Sequence, residues 1–175
     1  VEDARYYRRA RVKVISHPLA GKASCVASRS GDTIACTKID DILLLSHKDH
    51  DVYLVDEAQF FTNLVPFVHL CLQANKIVHV YGLMSDFQGR LFGNVHRLIP
   101  HADTVTQLYA RCACGDNAIY SERTSSSEPT SIVTVVATSE FPSNESKSTS
   151  ESWSGIVRDG CASFRIGIAR DGCGP

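Results

Sequence analysis

A chain of 175 residues with 43% apolar side chains can bury the core of one modest domain, and its net charge of −1, with both signs mixed, provides no surface for nucleic acid or membrane. No apolar run approaches the length of about 18 residues that a membrane span needs and no secretory leader is legible, so a soluble cytoplasmic protein is expected. Seven cysteines at irregular spacing argue against a secreted disulfide framework, and Cys25, Cys36 and Cys71 fall in apolar or alternating patterns that suit small buried hydrophobes.

In chain order, residues Ala4–Ala10 read as the end of a basic helix and Val12–Ser16 as a short strand. Ser24–Arg29 and Asp32–Lys38 alternate around Ser30-Gly31 and predict a hairpin. Asp40-Asp41 can cap a short helix through Leu45. Val52–Val55 is a continuous apolar run, as expected of a strand covered on both faces in a parallel sheet. Thr62 is the expected N-cap of a helix carrying Leu64, Val65, Phe67, Val68, Cys71 and Leu72 on one face, with Asn75 at its end. Ile77–Tyr81 is the next strand, so strand, helix and strand make a βαβ crossover. Thr104–Arg111, Ala118–Arg123 and Ile132–Ala137 are weaker strand patterns.

From Ser139 the composition changes. Ser139–Ser154 is rich in Ser, Glu and Lys, too poor in apolar surface to offset the entropy of ordering, and Ile156–Pro175 repeats the piece Arg-Asp-Gly-Cys at 158–161 and 170–173. Residues 142–175 are therefore expected to be a disordered tail.

The chemistry concentrates after Val55. Asp56 and Glu57 follow the apolar run directly, and in open parallel sheets ligands bind at the carboxyl ends of the strands. Two carboxylates there suit phosphoryl transfer, one acting through Mg²⁺ and the other taking the proton of an attacking hydroxyl. A strand that ends in a solvated acidic turn would carry the same residues.

Asp56-Glu57-Ala58-Gln59-Phe60-Phe61 resembles the second phosphate-site motif of the thymidine kinases of the cellular, zinc-containing type. The resemblance continues in order over about seventy residues. Residues 81–94, from Tyr81-Gly82-Leu83 through Asp86-Phe87 to Phe92-Gly93-Asn94, look like that family's lid loop, with Met84 where its members commonly carry Asp. Leu98-Ile99-Pro100-His101-Ala102-Asp103 looks like the segment that follows the lid, and residues 112–123 look like a reduced form of its first zinc knuckle.

The resemblance implies a P-loop-type α/β fold, a parallel sheet with helices over residues 1–110, plus a small, degenerate zinc-ribbon-like β subdomain over 111–141. It implies transfer of the γ-phosphate of ATP, with Mg²⁺, to the 5′-hydroxyl of thymidine or deoxyuridine in DNA-precursor salvage. Glu57 matches the family's general base. Asp56 would hold the metal through water, with Gln59 beside it and Arg90 facing phosphates, although an exposed loop arginine can be merely solvated. Phe60 and Leu83 would line the nucleoside site, although Phe60 or Phe61 can equally be core. Asp86, Phe92, Ser121 and Phe141 are assigned to the same site. Phe87 matches the lid aromatic that stacks on the base, and a hydrophobic clasp for the loop is the alternative.

Three departures from the family pattern bear on activity. The zinc pair reads Cys112-Ala113-Cys114, one residue short of Cys-x-x-Cys, and a second pair is absent where expected, so tight structural Zn²⁺ is not expected. Residues 135–142 stand where the family has a Gly-Gly segment that holds the base by its backbone, and Ala137 and Thr138 replace the glycines. The phosphate cradle, Gly-x-x-x-x-Gly-Lys-[Ser/Thr], has one candidate, Gly21-Lys22, with Ser16 and Ala23 at two of its four fixed positions. The family's cradle precedes the basic helix and is expected before Val1, so residues 1–175 alone are expected to give no turnover. Thymidine and ATP are the implied partners, with self-association into a dimer or tetramer. The alternative is a non-catalytic domain, such as one half of a tandem kinase, that stabilises an active partner.

Overall fold

The computed structural model describes residues 2–7, 9–21, 23–28, 31–86, 88–111, 117–118, 120–123, 135–138 and 163–169. The elements are α1 (Glu2–Tyr6), β1 (Val12–Ser16), β2 (Cys25–Ala27), β3 (Thr33–Ala35), β4 (Thr37–Lys38), β5 (Val52–Asp56), α2 (Leu64–Gln73), β6 (Ile77–Gly82) and β7 (Thr104–Leu108). They continue with β8 (Ala110–Arg111), β9 (Asn117–Ala118), β10 (Tyr120–Arg123), β11 (Val135–Thr138) and β12 (Ser163–Ile168). Six strands form one sheet in the order β4-β1-β5-β6-β12-β7, which makes this an α/β fold.

The middle of that sheet is parallel, as the apolar run in β5 predicts: β1 pairs with β4 and β5, and β5 with β6. Val52, Tyr53, Leu54 and Val55 are all buried, because both faces of β5 are covered. On one face α2 sets Leu64, Phe67, Val68, Cys71 and Leu72, spaced as one helical stripe, into a core with Ile15, Tyr53, Val55, Val78 and Val80. Tyr53 stands edge-on to Phe67 with ring centroids 5.6 Å apart, and its hydroxyl donates to the Ser46 carbonyl at 2.8 Å, which satisfies its polar end. Burial pushes the Cys71 thiol up to about 12, in keeping with an inert packing role. The opposite face of β6 carries His79 and Tyr81, which meet Tyr7 and Asp3 of the N-terminal segment.

Local expectations are adjusted at several element ends. The helix is capped at Asn63 and not Thr62, whereas Asn75 closes its other end at φ +55°, with Lys76 N–H donating to the Cys71 carbonyl at 2.9 Å. Asp41 caps as expected, accepting from Leu43 N–H at 3.0 Å, but the segment is a single turn, Ile42–Leu44, because Leu45 is already extended. α1 ends at Tyr6 and not at Ala10, since the chain turns there, with Ala10 N–H on the Tyr7 carbonyl, to enter β1. The expected strand Thr104–Arg111 divides at Tyr109 into β7 and β8. The hairpin forms from β2 and β3, and its continuation, β4, leaves it to pair with β1.

The largest correction concerns residues 142–175. Ser163–Ile168 is a strand, antiparallel to both β6 and β7, and it makes the sheet mixed where a parallel one is expected. Its alternation is plain: Ile166 and Ile168 are buried in the core, and Arg165 reaches Asp3 at 2.6 Å on the other face. A Cβ at Gly167 would stand 2.6 Å from the Thr104 hydroxyl, which would have to turn aside. β10 and β11 form a separate two-stranded pair within the 111–141 segment expected to hold the ribbon-like subdomain. No helix among the described residues is long and apolar enough to cross a membrane.

Candidate functional site

Asp56 ends β5, and Glu57 takes the left-handed conformation, φ 52° and ψ 45°. A non-glycine residue is uncommon there and costs on the order of 1–3 kcal/mol, so the surrounding structure must hold it. The holding group is Gln59. Its side-chain Nε2 donates to Glu57 Oε2 at 2.6 Å, and its Oε1 accepts from Leu83 N–H at 3.1 Å at the end of β6. Buried Gln59 thus ties the carboxylate to the next strand and acts as a positioning residue, with both ends of its amide engaged.

Burial pushes the carboxyl pKa values of Asp56 and Glu57 upward; for Glu57 the neighbouring Asp56 adds to the rise. Lys38 opposes the rise at both. A carboxylate raised in this way is a stronger proton acceptor once ionised, which is the property a general base needs.

The loop after β6 folds over this point. Asp86 is buried and organises it: Oδ1 accepts from the backbone N–H of Gln88 and of Arg90, both at 2.9 Å, and Oδ2 accepts from Arg90 Nε at 3.0 Å. Asp86 and Arg90 therefore pair with one another, and the rest of the Arg90 guanidinium faces solvent. Phe92 stands edge-on to Phe60 at 5.6 Å, and Phe60 leans on His17 at 5.6 Å. Phe61 is core, Leu83 is buried, and Phe60 and Phe92 are half-buried. Asn94 Nδ2 donates to the Thr62 carbonyl at 3.0 Å and closes the loop onto the base of the site.

Gly93 explains the closeness of that contact. Its φ is +62°, and a Cβ would stand 2.1 Å from the Gln59 carbonyl oxygen. Gly93→Ala must push the loop off Gln59 and loosen Glu57 with it, since backbone and not a flexible side chain is in the way. The expected result is an intact fold with ligand affinity weakened by about tenfold or more, equivalent to about 1.4 kcal/mol; unchanged affinity in isothermal titration would show the loop to be independent of the carboxylates.

Gln59 thus links Glu57, next to Asp56, with Leu83, while Phe60 meets Phe92 and Asp86 pairs with Arg90 within the loop after β6. Ser121 lies in β10, opposite Ala137 of β11. Phe87, Phe141, Cys112 and Cys114 lie outside the described residues. Among the described residues no group of three or more His, Cys, Asp or Glu side chains could hold a metal ion. Mg²⁺ needs fewer protein ligands: one or two carboxylates together with substrate phosphates and water suffice, and Asp56 at the end of β5 is a carboxylate of that kind. Sequence reasoning missed Ser16, Lys38 and Gly93. The first two follow from the rule that parallel strands end together, once β1 and β4 are placed beside β5.

Residues 1–143 match a family model described as thymidine kinase. The chain is 41% identical over 108 residues to the thymidine kinase of Coprothermobacter proteolyticus, covering 59% of this chain and 54% of that protein. It is 40% identical over 105 residues to the thymidine kinase of Bacteroides thetaiotaomicron, covering 57% and 52%, and 38% identical over 109 residues to thymidine kinase a of Arabidopsis thaliana, covering 56% and 45%. The chain spans about half the length of the curated relatives it matches.

Proposed function

The chain belongs to the thymidine kinase family, and from that premise we propose that the protein transfers the γ-phosphate of ATP to the 5′-hydroxyl of thymidine, with deoxyuridine as a related acceptor. The observation that carries this reading is the Glu57 carboxylate, held at the carboxyl end of a parallel strand by a 2.6 Å bond from a buried amide, next to a second carboxylate. In the step proposed, the 5′-oxygen attacks the γ-phosphorus as its proton passes to Glu57. The bond from that phosphorus to the bridging oxygen breaks, and ADP leaves. Bound Mg²⁺ would neutralise charge on the phosphates, and Asp56 is the residue that would hold it. Phe60 and Phe92, in contact where the loop meets the site, would shield the acceptor from water. Phe87 is assigned to stacking on the base. Salvage of DNA precursors, a cytoplasmic setting and a homo-oligomer belong to the same reading.

The test is transfer of labelled phosphate from ATP to thymidine by the whole protein. Asp56→Asn should raise the Mg²⁺ concentration needed for half-maximal rate by about tenfold, the loss of roughly 1.4 kcal/mol of metal affinity. Failure of the whole protein to phosphorylate any nucleoside would favour the non-catalytic reading.

A further inference from the structure

Three neighbouring parallel strands end in a row of polar side chains. Lys38 of β4 pairs in register with Ser16 of β1, and Ser16 pairs in register with Asp56 of β5. Register partners in a parallel sheet face the same side. Lys38 conforms, because its Nζ donates to Ser16 Oγ at 3.0 Å and to the His17 carbonyl at 3.4 Å. Its backbone is fixed by the pairing with β1, which the bond from Ile39 N–H to the Ser16 carbonyl at 3.3 Å extends.

Both oxygens that accept from Lys38 are uncharged, and one of its three N–H donors is left without either of them. Among the described residues it makes no ion pair. Its field reaches the Asp56 and Glu57 carboxyls, whose pKa rise it opposes, so the half-buried Lys38 faces the same site as the carboxylates. Two strand spacings, about 10 Å, separate its backbone from that of Asp56, and a four-carbon stem spans much of that gap. Under the kinase reading the acceptor hydroxyl belongs beside Glu57, one residue past Asp56, and Lys38 stands at the same strand-end rim two strands away.

We infer that Lys38 is a phosphate-binding residue of this site, holding the oxygens of a nucleoside 5′-monophosphate through its Ser16-anchored ammonium. The inference rests on the thymidine kinase reading and deepens it, because it gives the product a contact that the nucleoside lacks. Lysine meets phosphate as a point charge, and hydrogen bonds to charged groups are stronger than neutral ones.

The experiment is isothermal titration of the chain with thymidine and, separately, with thymidine 5′-monophosphate. Lys38→Met should weaken the monophosphate by about ten- to a hundredfold, as expected for one lost charge-assisted bond, and leave thymidine within about twofold. Lys38→Gln can still donate to Ser16 Oγ and should lose affinity as Met does, whereas Lys38→Arg should recover part of it. Monophosphate affinity unchanged in Lys38→Met or Lys38→Gln would overturn the assignment, and so would an equal loss for both ligands, which would mark a structural lysine. In either case thymidine still binds the wild-type chain. A wild-type chain that binds neither ligand would instead overturn the kinase reading, and this assignment with it.

Discussion

Replacing Glu57 by Gln in the whole protein should lower kcat by about 10²–10⁴-fold, the range a general base contributes. Gln keeps the size of the side chain and an oxygen for the Gln59 amide, so the 2.6 Å contact and the loop it supports can persist. Nucleoside affinity should hold within about twofold, because the proton acceptor acts in the transition state and not in ground-state binding. The pH dependence supplies an independent readout. Burial and Asp56 raise the Glu57 pKa above its ordinary value of 4.5, and only the ionised form accepts a proton. The wild-type rate should therefore climb with pH through a limb that lies above 4.5, and Glu57→Gln should lose that limb. The stability sign runs the other way. A carboxyl whose pKa is raised on folding favours the fold while protonated, and that contribution fades as pH rises through the folded-state value. At neutral pH, Glu57→Gln should thus melt no lower than wild type, so a fall in kcat is not a loss of fold. If kcat stays within about twofold, the carboxylate is structural and the role assigned to it is wrong.

Ile166→Ala should destabilise the chain by about 2–5 kcal/mol, the cost of emptying a fully buried aliphatic site. Ile166 is 0% exposed, pairs in register with Val80 of β6 and with Val105 of β7, and belongs to the same core as Phe67 and Val78. Val105→Ala provides the control, since Val105 is 43% exposed and its truncation should cost well under half as much. Denaturant midpoints compared at a common slope measure both. A cost for Ile166→Ala within about 0.5 kcal/mol, as for a surface change, would mean that β12 does not sit inside the sheet. The salt bridge from Arg165 to Asp3 is half-exposed and screened, so Arg165→Ala should matter far less.

Much of the site is legible in residues 52–61, because there the determining contacts are local. Val52–Val55 has to be a doubly covered strand, and a carboxylate pair at its end has to emerge at the rim where ligands bind. The βαβ unit follows from helical spacing in Leu64–Leu72 beside a second apolar run, and Asn75 announces its own left-handed cap. The family motifs in 56–61 and 81–103 are similarly readable without coordinates. What Gln59 does is not. Its amide joins Glu57 to Leu83, which lies 24 residues on from Gln59, a contact that exists only once β5 and β6 lie side by side. Asp86 and Arg90, which the family resemblance offers to ligands, are turned toward each other by the folded loop.

The amino-acid sequence by itself determines the family, the α/β class, the buried strand and the pair of carboxylates, since each rests on neighbours within a few residues or on one helical or extended period. Tertiary structure alone decides the order of the strands, and with it three results. It sets Lys38, Ser16 and Asp56 in one row, it presses Gly93 onto the Gln59 backbone, and it inserts Ser163–Ile168 between β6 and β7. The alternation of β12 is visible in Phe164, Ile166 and Ile168, but its surroundings are too poor in apolar surface to predict order. The strand gains its place there because two strands about eighty and sixty positions away leave a slot one strand wide with unpaired backbone on both sides, and pairing satisfies it.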